Sequence, residues 1–328
     1  YERMRYRCHE CGDYHYPLDY ELEVAGKRAS SQKESQLALL SVHMPYEDAK
    51  KIYEELTGQK TGRTTAHRIV QRLASAAKKT PMSVPETPRQ GDGKRRHVAA
   101  DGVLIRIREE GWKEAKVGSV YEVDGERKAF GHQYTVTLED RETFGRQLYR
   151  LAGEPEAAMT RWMTFISDAA RWLDELRDLA FPLATRIVDF WHVTEYLWKV
   201  ANSFYEEGNA KAKAWAHEKI RLLRQGQAQL IEATLVHMKP RTKLQREALN
   251  AAQTYFQNHG HQMDYPRYEA MRLHIGSGIA EAACKFVVQT RFKRCGMRWS
   301  RKGAENLLRL RQVYLNNQWD SLLETMKN

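Results

Sequence analysis

Apolar residues in the first 80 positions recur at helical spacing. Ser30-Ser31 can cap a helix running through Leu40. Residues 45–56 place Ala49, Ile52, Tyr53 and Leu56 on one face, and Gly58 supplies a stop. Beyond a short turn, Thr61 or Thr64 can cap a third helix with Ala66, Ile69, Val70 and Leu73 inward. Its outer face carries Arg63, Thr65, His67, Arg68, Gln71 and Arg72. Pro81, Pro85, Pro88, Gly91 and Gly93 then break the pattern, so residues 81–96 read as a linker ending in Lys94-Arg95-Arg96.

From His97 the period changes to two. Residues 103–108, 117–123 and 133–138 read as three strands of an antiparallel meander, with turns at Glu110-Gly111 and Asp124-Gly125. A helix follows over about 139–151. The apolar run 163–166 ends in Ser167-Asp168 and leads into a helix with Trp172, Leu173 and Leu176. A second run, 184–188, ends in Asp189 and leads into another helix; from about Trp191 onward the pattern is helical throughout. A meander followed by strand–helix–strand–helix predicts a mixed α+β fold, a mixed sheet with flanking helices.

Composition sharpens this picture. The chain has 328 residues, 42% hydrophobic and 29% charged, enough apolar material for a real core. No run of about 18 apolar residues occurs, so no membrane span is expected. No cationic stretch leads into an apolar one near the start, so no secretory signal is expected, and Tyr1 in place of Met reads as a truncated or processed start. Four cysteines are too few for a disulfide framework.

The net charge of +11 points to a polyanion partner. It is unevenly spread. Residues 1–96 carry 18 basic and 13 acidic side chains, residues 97–190 carry 13 and 17, and residues 191–328 carry 22 and 12. Basic ends around an acidic middle suit a protein whose Lys and Arg follow phosphates while carboxylates hold a metal.

Three sets of residues carry candidate chemistry. Cys8-His9-Glu10-Cys11-Gly12 has the spacing of half a zinc ribbon, two thiolates offered from one tight turn, so Cys8 and Cys11 can hold Zn²⁺ if two further ligands are supplied. The helix, Gly-containing turn and helix of residues 45–73 fit a helix-turn-helix, with a basic, Thr-rich start able to meet phosphates and base edges. Three carboxylates then stand at telling places. Asp101 lies in the first strand, Asp168 ends a later strand, and Glu281 opens a helix after Gly276-Ser277-Gly278. Two Asp and one Glu converging from a sheet and a helix could hold two Mg²⁺ (or Mn²⁺) ions about 4 Å apart, the arrangement that activates a nucleophilic hydroxyl and stabilises the leaving oxygen of a phosphodiester. Asp189 is the rival of Asp168 for the second position.

At these residues the chain resembles the DDE transposases of bacterial insertion sequences, nearest to the ISKra-type family and related to the wider Mutator-like group. The resemblance covers nearly the whole chain. It rests on the Cys8–Gly12 knuckle, Ala100-Asp101-Gly102, Ser167-Asp168 with Trp172-Leu173, Asp189 with His192, and Gly276-Ser277-Gly278-Ile279-Ala280-Glu281. It continues through Arg291-Phe292-Lys293, Gly296-Met297-Arg298-Trp299, Leu310-Arg311 and Trp319. One departure is Ala169, where the family often has Gly.

The resemblance implies a ribonuclease-H-like catalytic core with Asp101, Asp168 and Glu281 as catalytic metal ligands and Asp189 and His192 in support. It implies a DNA transposase acting on double-stranded DNA, both inverted repeats and target, as a homodimer or larger assembly in a bacterial-type cytoplasm, associated with the nucleoid. The organisation expected is a knuckle over 1–24, a helix-turn-helix domain over 25–80, a linker over 81–96, a catalytic domain over 97–207 and 271–328, and a helical insertion over 208–270. Besides Arg63, Thr65, His67, Arg68 and Arg72, a basic track of Lys285, Arg291, Lys293, Arg298 and Arg301 is expected to contact DNA, with Trp299 stacking on an unpaired base. Two alternatives share these features: a catalytically inactive, domesticated DNA-binding protein, and a structure-selective nuclease on the same fold.

Overall fold

Capping residues set the N-terminal helices. In the computed structural model, which describes residues 4–21, 29–78, 95–153 and 163–326, a hairpin of β1 (Tyr6–Arg7) and β2 (Tyr14–His15) precedes a short helix α1 (Pro17–Glu21). Ser30 caps α2 (Ser31–His43) by accepting from the Lys33 N–H at 3.2 Å. Helix α3 (Tyr46–Thr57) stops at Gly58, whose φ of 68° is one that L side chains resist. Glu54 then holds the connection by accepting from the Thr61 N–H at 2.7 Å. Helix α4 (Arg63–Ala77) is capped by Gly62 without a side-chain bond, so neither Thr61 nor Thr64 plays the expected capping role.

The chain divides by its contacts into two units. One takes residues from Tyr1–Pro81, Ile107–Glu109 and Thr290–Asn328; the other takes Met82–Arg106 and Glu110–Gln289. The expected stretch 271–328 is therefore divided, and its last 39 residues join the N-terminal helices.

The second unit is built on a sheet. Its strands β3 (Arg95–Ile107), β4 (Gly111–Val123) and β5 (Ala129–Thr137) are longer than their alternating segments predicted. Most of the expected linker lies outside the described residues, but its end is strand rather than linker. Arg96 is 1% exposed, donating to the Ala152 carbonyl at 2.7 Å and pairing with Glu122 at 3.1 Å. A buried guanidinium persists because both interactions are charge-assisted.

After α5 (Arg141–Ala152), capped by Asp140, come β6 (Met163–Ser167), α6 (Arg171–Ala180), β7 (Thr185–Val188) and α7 (Phe190–Tyr205). The sheet order is β5-β4-β3-β6-β7, with β4 and β5 antiparallel and β3, β6 and β7 parallel. A mixed five-stranded sheet flanked by helices is thus the architecture. One face packs Val98, Ala100, Val120 and Phe165 under Phe144, Leu148, Leu173 and Leu176 of α5 and α6. Gly118 is needed there, since a Cβ would stand 2.7 Å from Leu148. The alternate residue Ala99 faces the other way, with Tyr121, Val123 and Ala280.

Residues 208–270 form α8 (Ala210–Arg224), α9 (Ala228–His237), α10 (Lys243–His259) and α11 (Tyr265–Ala270), joined to α10 by a short 3-10 turn. They share one core with the sheet: Ile166, Ile187 and Val188 pack with Phe190, Leu197, Leu223, Ile231, Leu249 and Phe256. Each Leu or Phe so buried contributes about 1.5–3 kcal/mol. Helix α12 (Gly278–Ala283) runs into a π-helical turn over Cys284–Gln289.

The first unit is completed by α13 (Thr290–Phe292), α14 (Arg301–Leu315) and α15 (Trp319–Thr325). Helix α14 buries Ala304, Leu307, Leu308, Leu310 and Val313 and packs on α4 and α2. Asn306 donates to Gln71 at 2.5 Å and Arg309 to the Ala77 carbonyl at 2.9 Å. Gln71 therefore serves this packing rather than the outer face. Among the described residues no helix is long and apolar enough to cross a membrane.

Candidate active site

The parallel register lines up the acidic residues. Ala99 pairs with Ile166, and Ser167 with Val188. Carrying each register onward places Asp101, Asp168 and Asp189 in one row across β3, β6 and β7, at the carboxyl ends of the last two. Ligands gather there in sheets of parallel neighbours. Asp101 shares the face of Ala99, the one on which Ala280 packs, so the residue next to Glu281 lies on the same side of the sheet.

Asp101 is half-buried. One carboxylate oxygen accepts from the Gly102 N–H at 2.6 Å and the other lies 3.6 Å from the Cys284 Sγ. Burial raises its pKa above the usual carboxylate value; the Asp168 and Glu114 charges raise it further, while the Gly102 N–H opposes the shift. A neighbouring cation would relieve the two raising charges, so the pair of carboxylates fits a hard divalent ion.

Asp168 is held by local geometry. Its Oδ1 accepts from the Ala170 N–H at 2.9 Å, and Ala169 between them has a φ of 62°. The left-handed backbone at position 169 is thus held by a strained alanine. The Tyr255 hydroxyl donates to the Asp168 carbonyl at 2.8 Å. Tyr255 stacks on Tyr196 at 4.2 Å, and the His192 ring stands edge-on to both. His192 is therefore packed one aromatic contact away from the Asp168 backbone. Its Nδ1 lies 3.8 Å from Glu195.

Asp189 has a different task. Its Oδ1 accepts from the Trp191 and His192 N–H groups at 2.7 and 3.3 Å, capping α7. Its Oδ2 accepts from the Ser277 N–H at 3.0 Å and from the Ser277 hydroxyl. Only 7% exposed, it latches the Gly276–Gly278 turn to the end of β7.

Glu281 is exposed and pairs with Lys285 at 2.7 Å, one helical turn on. Among the described residues no group of three His, Cys, Asp or Glu side chains is arranged to hold a metal. The structure thus brings Asp101 and Asp168 together and leaves Glu281 turned to Lys285. Cys284 lies beside Asp101. Burial and the charges of Asp101, Glu114 and Glu281 all push its pKa up, keeping it a thiol. Glu114 and Cys284 were not anticipated. Cys284 follows Glu281 at the i+3 spacing of one helix face, a usable signal; Glu114 had none, because β4 pairing alone brings it to Gly102.

The expected DNA contacts divide. Arg63, His67 and Arg68 are exposed on α4 and Thr65 is half-buried, while Arg72 pairs with Glu34. Lys293 and Arg298 are exposed, Lys285 is taken by Glu281, and Arg301 pairs with Glu305 at 2.6 Å. Two expectations are corrected. Arg291 is 1% exposed and donates to the Ser41 carbonyl at 2.9 Å, so it is not on a solvated track. Trp299 is 9% exposed, packs on Phe292 at 4.7 Å and donates to the Phe292 carbonyl, so its ring is not free to stack on a base. Trp299 serves the packing of the C-terminal segment, and Arg291 is held inward by Ser41.

At the N-terminus Cys8 and Cys11 sit on one hairpin turn, closed by Cys8 N–H to Asp13 and Gly12 N–H to Cys8 bonds of 2.8 and 3.0 Å. The Cys11 and Glu10 N–H groups lower the Cys8 pKa, as suits a thiolate ligand. The pair offers two of the four ligands that a zinc ion takes. No protein-family profile matches the chain, and no curated protein sequence matches it.

Proposed function

We propose that this protein is a DNA transposase of the DDE type, related to the ISKra-type enzymes, with a ribonuclease-H-like core and a helix-turn-helix formed by α3 and α4. The observation that carries this reading is the meeting of two acidic side chains, Asp101 and Asp168, on adjacent parallel strands, close enough for one charge to disturb the other. Five strands in the order observed, with helices on both faces, are compatible with that core. The basic outer face of α4 and the net charge of +11 support a DNA partner.

In this reading Asp101 and Asp168 hold divalent magnesium or manganese, and Glu281 completes the set. When bound, the ions supply an activated hydroxyl nucleophile and charge neutralisation at the leaving oxygen. Asp189 positions the turn that carries Glu281. His192, through Tyr255, buttresses the backbone of Asp168. For Glu281 to join, its ion pair with Lys285 must open. An exposed i,i+4 pair is worth about 0.3–0.5 kcal/mol, so opening the pair itself costs little. Cleavage frees a 3′-hydroxyl that attacks target DNA, and holding two transposon ends together calls for a dimer or larger assembly.

The Glu281–Lys285 pair also favours a second reading, a protein that binds DNA without cutting it. One experiment separates the two. The protein is incubated with duplexes bearing the flanking inverted repeats and Mg²⁺ or Mn²⁺, and nicked and joined strands are mapped. The transposase reading expects cleavage and strand transfer by the wild type, with both lost in D101N and D168N while end binding is kept. Binding without any nicking identifies the inactive protein, and nicking without joining identifies a nuclease.

A further inference from the structure

A cavity of about 620 Å³ lies wholly within the helical unit, at the start of α3 and α4. It is lined by Tyr46, Arg63, Thr64, His67, Arg108, Arg291, Arg298 and Trp299, among others. Four guanidinium groups line it and no carboxylate does. Arg63, Arg108 and Arg298 are exposed and make no ion pair among the described residues. A volume of this size is in the range of small-molecule sites.

Arg291 is the telling member. Its guanidinium lies between the Tyr46 and Trp299 rings, 5.3 and 5.0 Å from their centroids. Nε is satisfied by Ser41 and Nη1 by the Met297 sulfur at 3.8 Å. Nη2 is buried and has no hydrogen-bond partner, and neither has the Tyr46 hydroxyl, also buried. An unmet buried donor on a charged group is costly, so it favours a partner entering the cavity. Burial, with a smaller contribution from the Arg294 charge, pushes the Arg291 pKa down to about 10. These are the marks of a positive centre prepared for an anion.

We propose that this cavity binds a phosphate group, with Arg291 Nη2 and the Tyr46 hydroxyl at its floor and Arg63, Arg108 and Arg298 at its mouth. Guanidinium groups match phosphate oxygens in pairs, and the volume leaves room for a sugar attached to the phosphate. The phosphate comes from a strand of bound DNA or from a free nucleotide. The site rests on the DNA-handling reading only for the first of these sources.

The test is calorimetric titration of the full chain with inorganic phosphate in chloride buffer. The wild type is expected to bind one equivalent saturably. R63A/R298A should weaken binding at least tenfold, and Y46F a few-fold, with melting temperatures unchanged. R291M is added with its melting temperature measured; where it folds, binding is lost. No saturable binding by the folded wild type, or equal binding by R63A/R298A, overturns the proposal. A second arm adds duplex DNA to the phosphate complex. Release of phosphate supports the site with a strand phosphate as occupant; retention of phosphate beside bound DNA supports it with a free nucleotide. Phosphate binding by a protein that never nicks DNA leaves the cavity standing and sinks the transposase reading, whereas nicking without phosphate binding does the reverse.

Discussion

Removing the carboxylate of Asp189 should unlatch the turn that carries Glu281. The side chain accepts four hydrogen bonds, two from the α7 N-terminus and two from Ser277, at 7% exposure. A helix cap is worth about 1 kcal/mol, and a hydrogen bond to a charged group about 1.5–3 kcal/mol. These terms are not additive, and D189A also strands the Trp191 and Ser277 N–H groups, so a loss of about 3–4 kcal/mol is expected. D189N keeps one oxygen for the cap but sets an amide donor against the Ser277 N–H, and should lose about 2 kcal/mol. S277A removes only the hydroxyl, for about 1 kcal/mol. Urea unfolding followed by far-UV ellipticity measures each variant. The cycle of D189A, S277A and the double variant should show about 1 kcal/mol of coupling. A D189A loss below 1 kcal/mol, or an additive cycle, would refute the latch and return Asp189 to contention as a metal ligand.

Three further outcomes are expected. A169G should raise stability by about 0.5–1 kcal/mol by relieving the left-handed alanine, measured by the same unfolding assay. Glu54 accepts from the Thr61 N–H, which holds its folded pKa below the ordinary 4.5, with Lys50 adding to the effect. Its stabilisation is therefore full above about pH 4.5 and is lost as pH falls through the lower folded value. Melting temperatures between pH 6 and pH 3 should fall more steeply for the wild type than for E54Q. DNA affinity should decline steeply with salt, and R63A, R68A and R298A should each reduce the slope of log K against log salt by about 1, measured by fluorescence anisotropy.

Elements with a strong local signal were legible. The Ser30 cap, the Gly58 stop and the strand ends at Ser167 and Val188 fall close to where pattern and capping put them. Asp168 was legible because it ends an apolar run, and Asp101 because it interrupts the apolar residues of the first strand. Long-range consequences were not. Nothing local says that Arg96 turns inward to Ala152 and Glu122, or that Arg291 reaches Ser41, 250 positions away. A basic residue in a basic run reads as solvated until a partner carbonyl from a remote segment is known. Glu114 was missed for the same reason, since its place beside Asp101 depends on strand pairing.

The packing of α14 on α4 has a consequence for synthesis. The Arg309–Ala77 hydrogen bond spans 232 residues, so α4, which packs on α2 and α3 beside it in the chain, meets its other partner only when α14 has been made. At translation rates of about 5–20 residues per second, α4 waits about 12–46 s for that partner. The sheet-bearing unit, finished at Gln289, has its whole chain before then. On the ribosome the packing of α14 on α4 therefore follows completion of the sheet-bearing unit's chain, and a nascent chain halted before residue 300 presents an unfinished helical surface to chaperones.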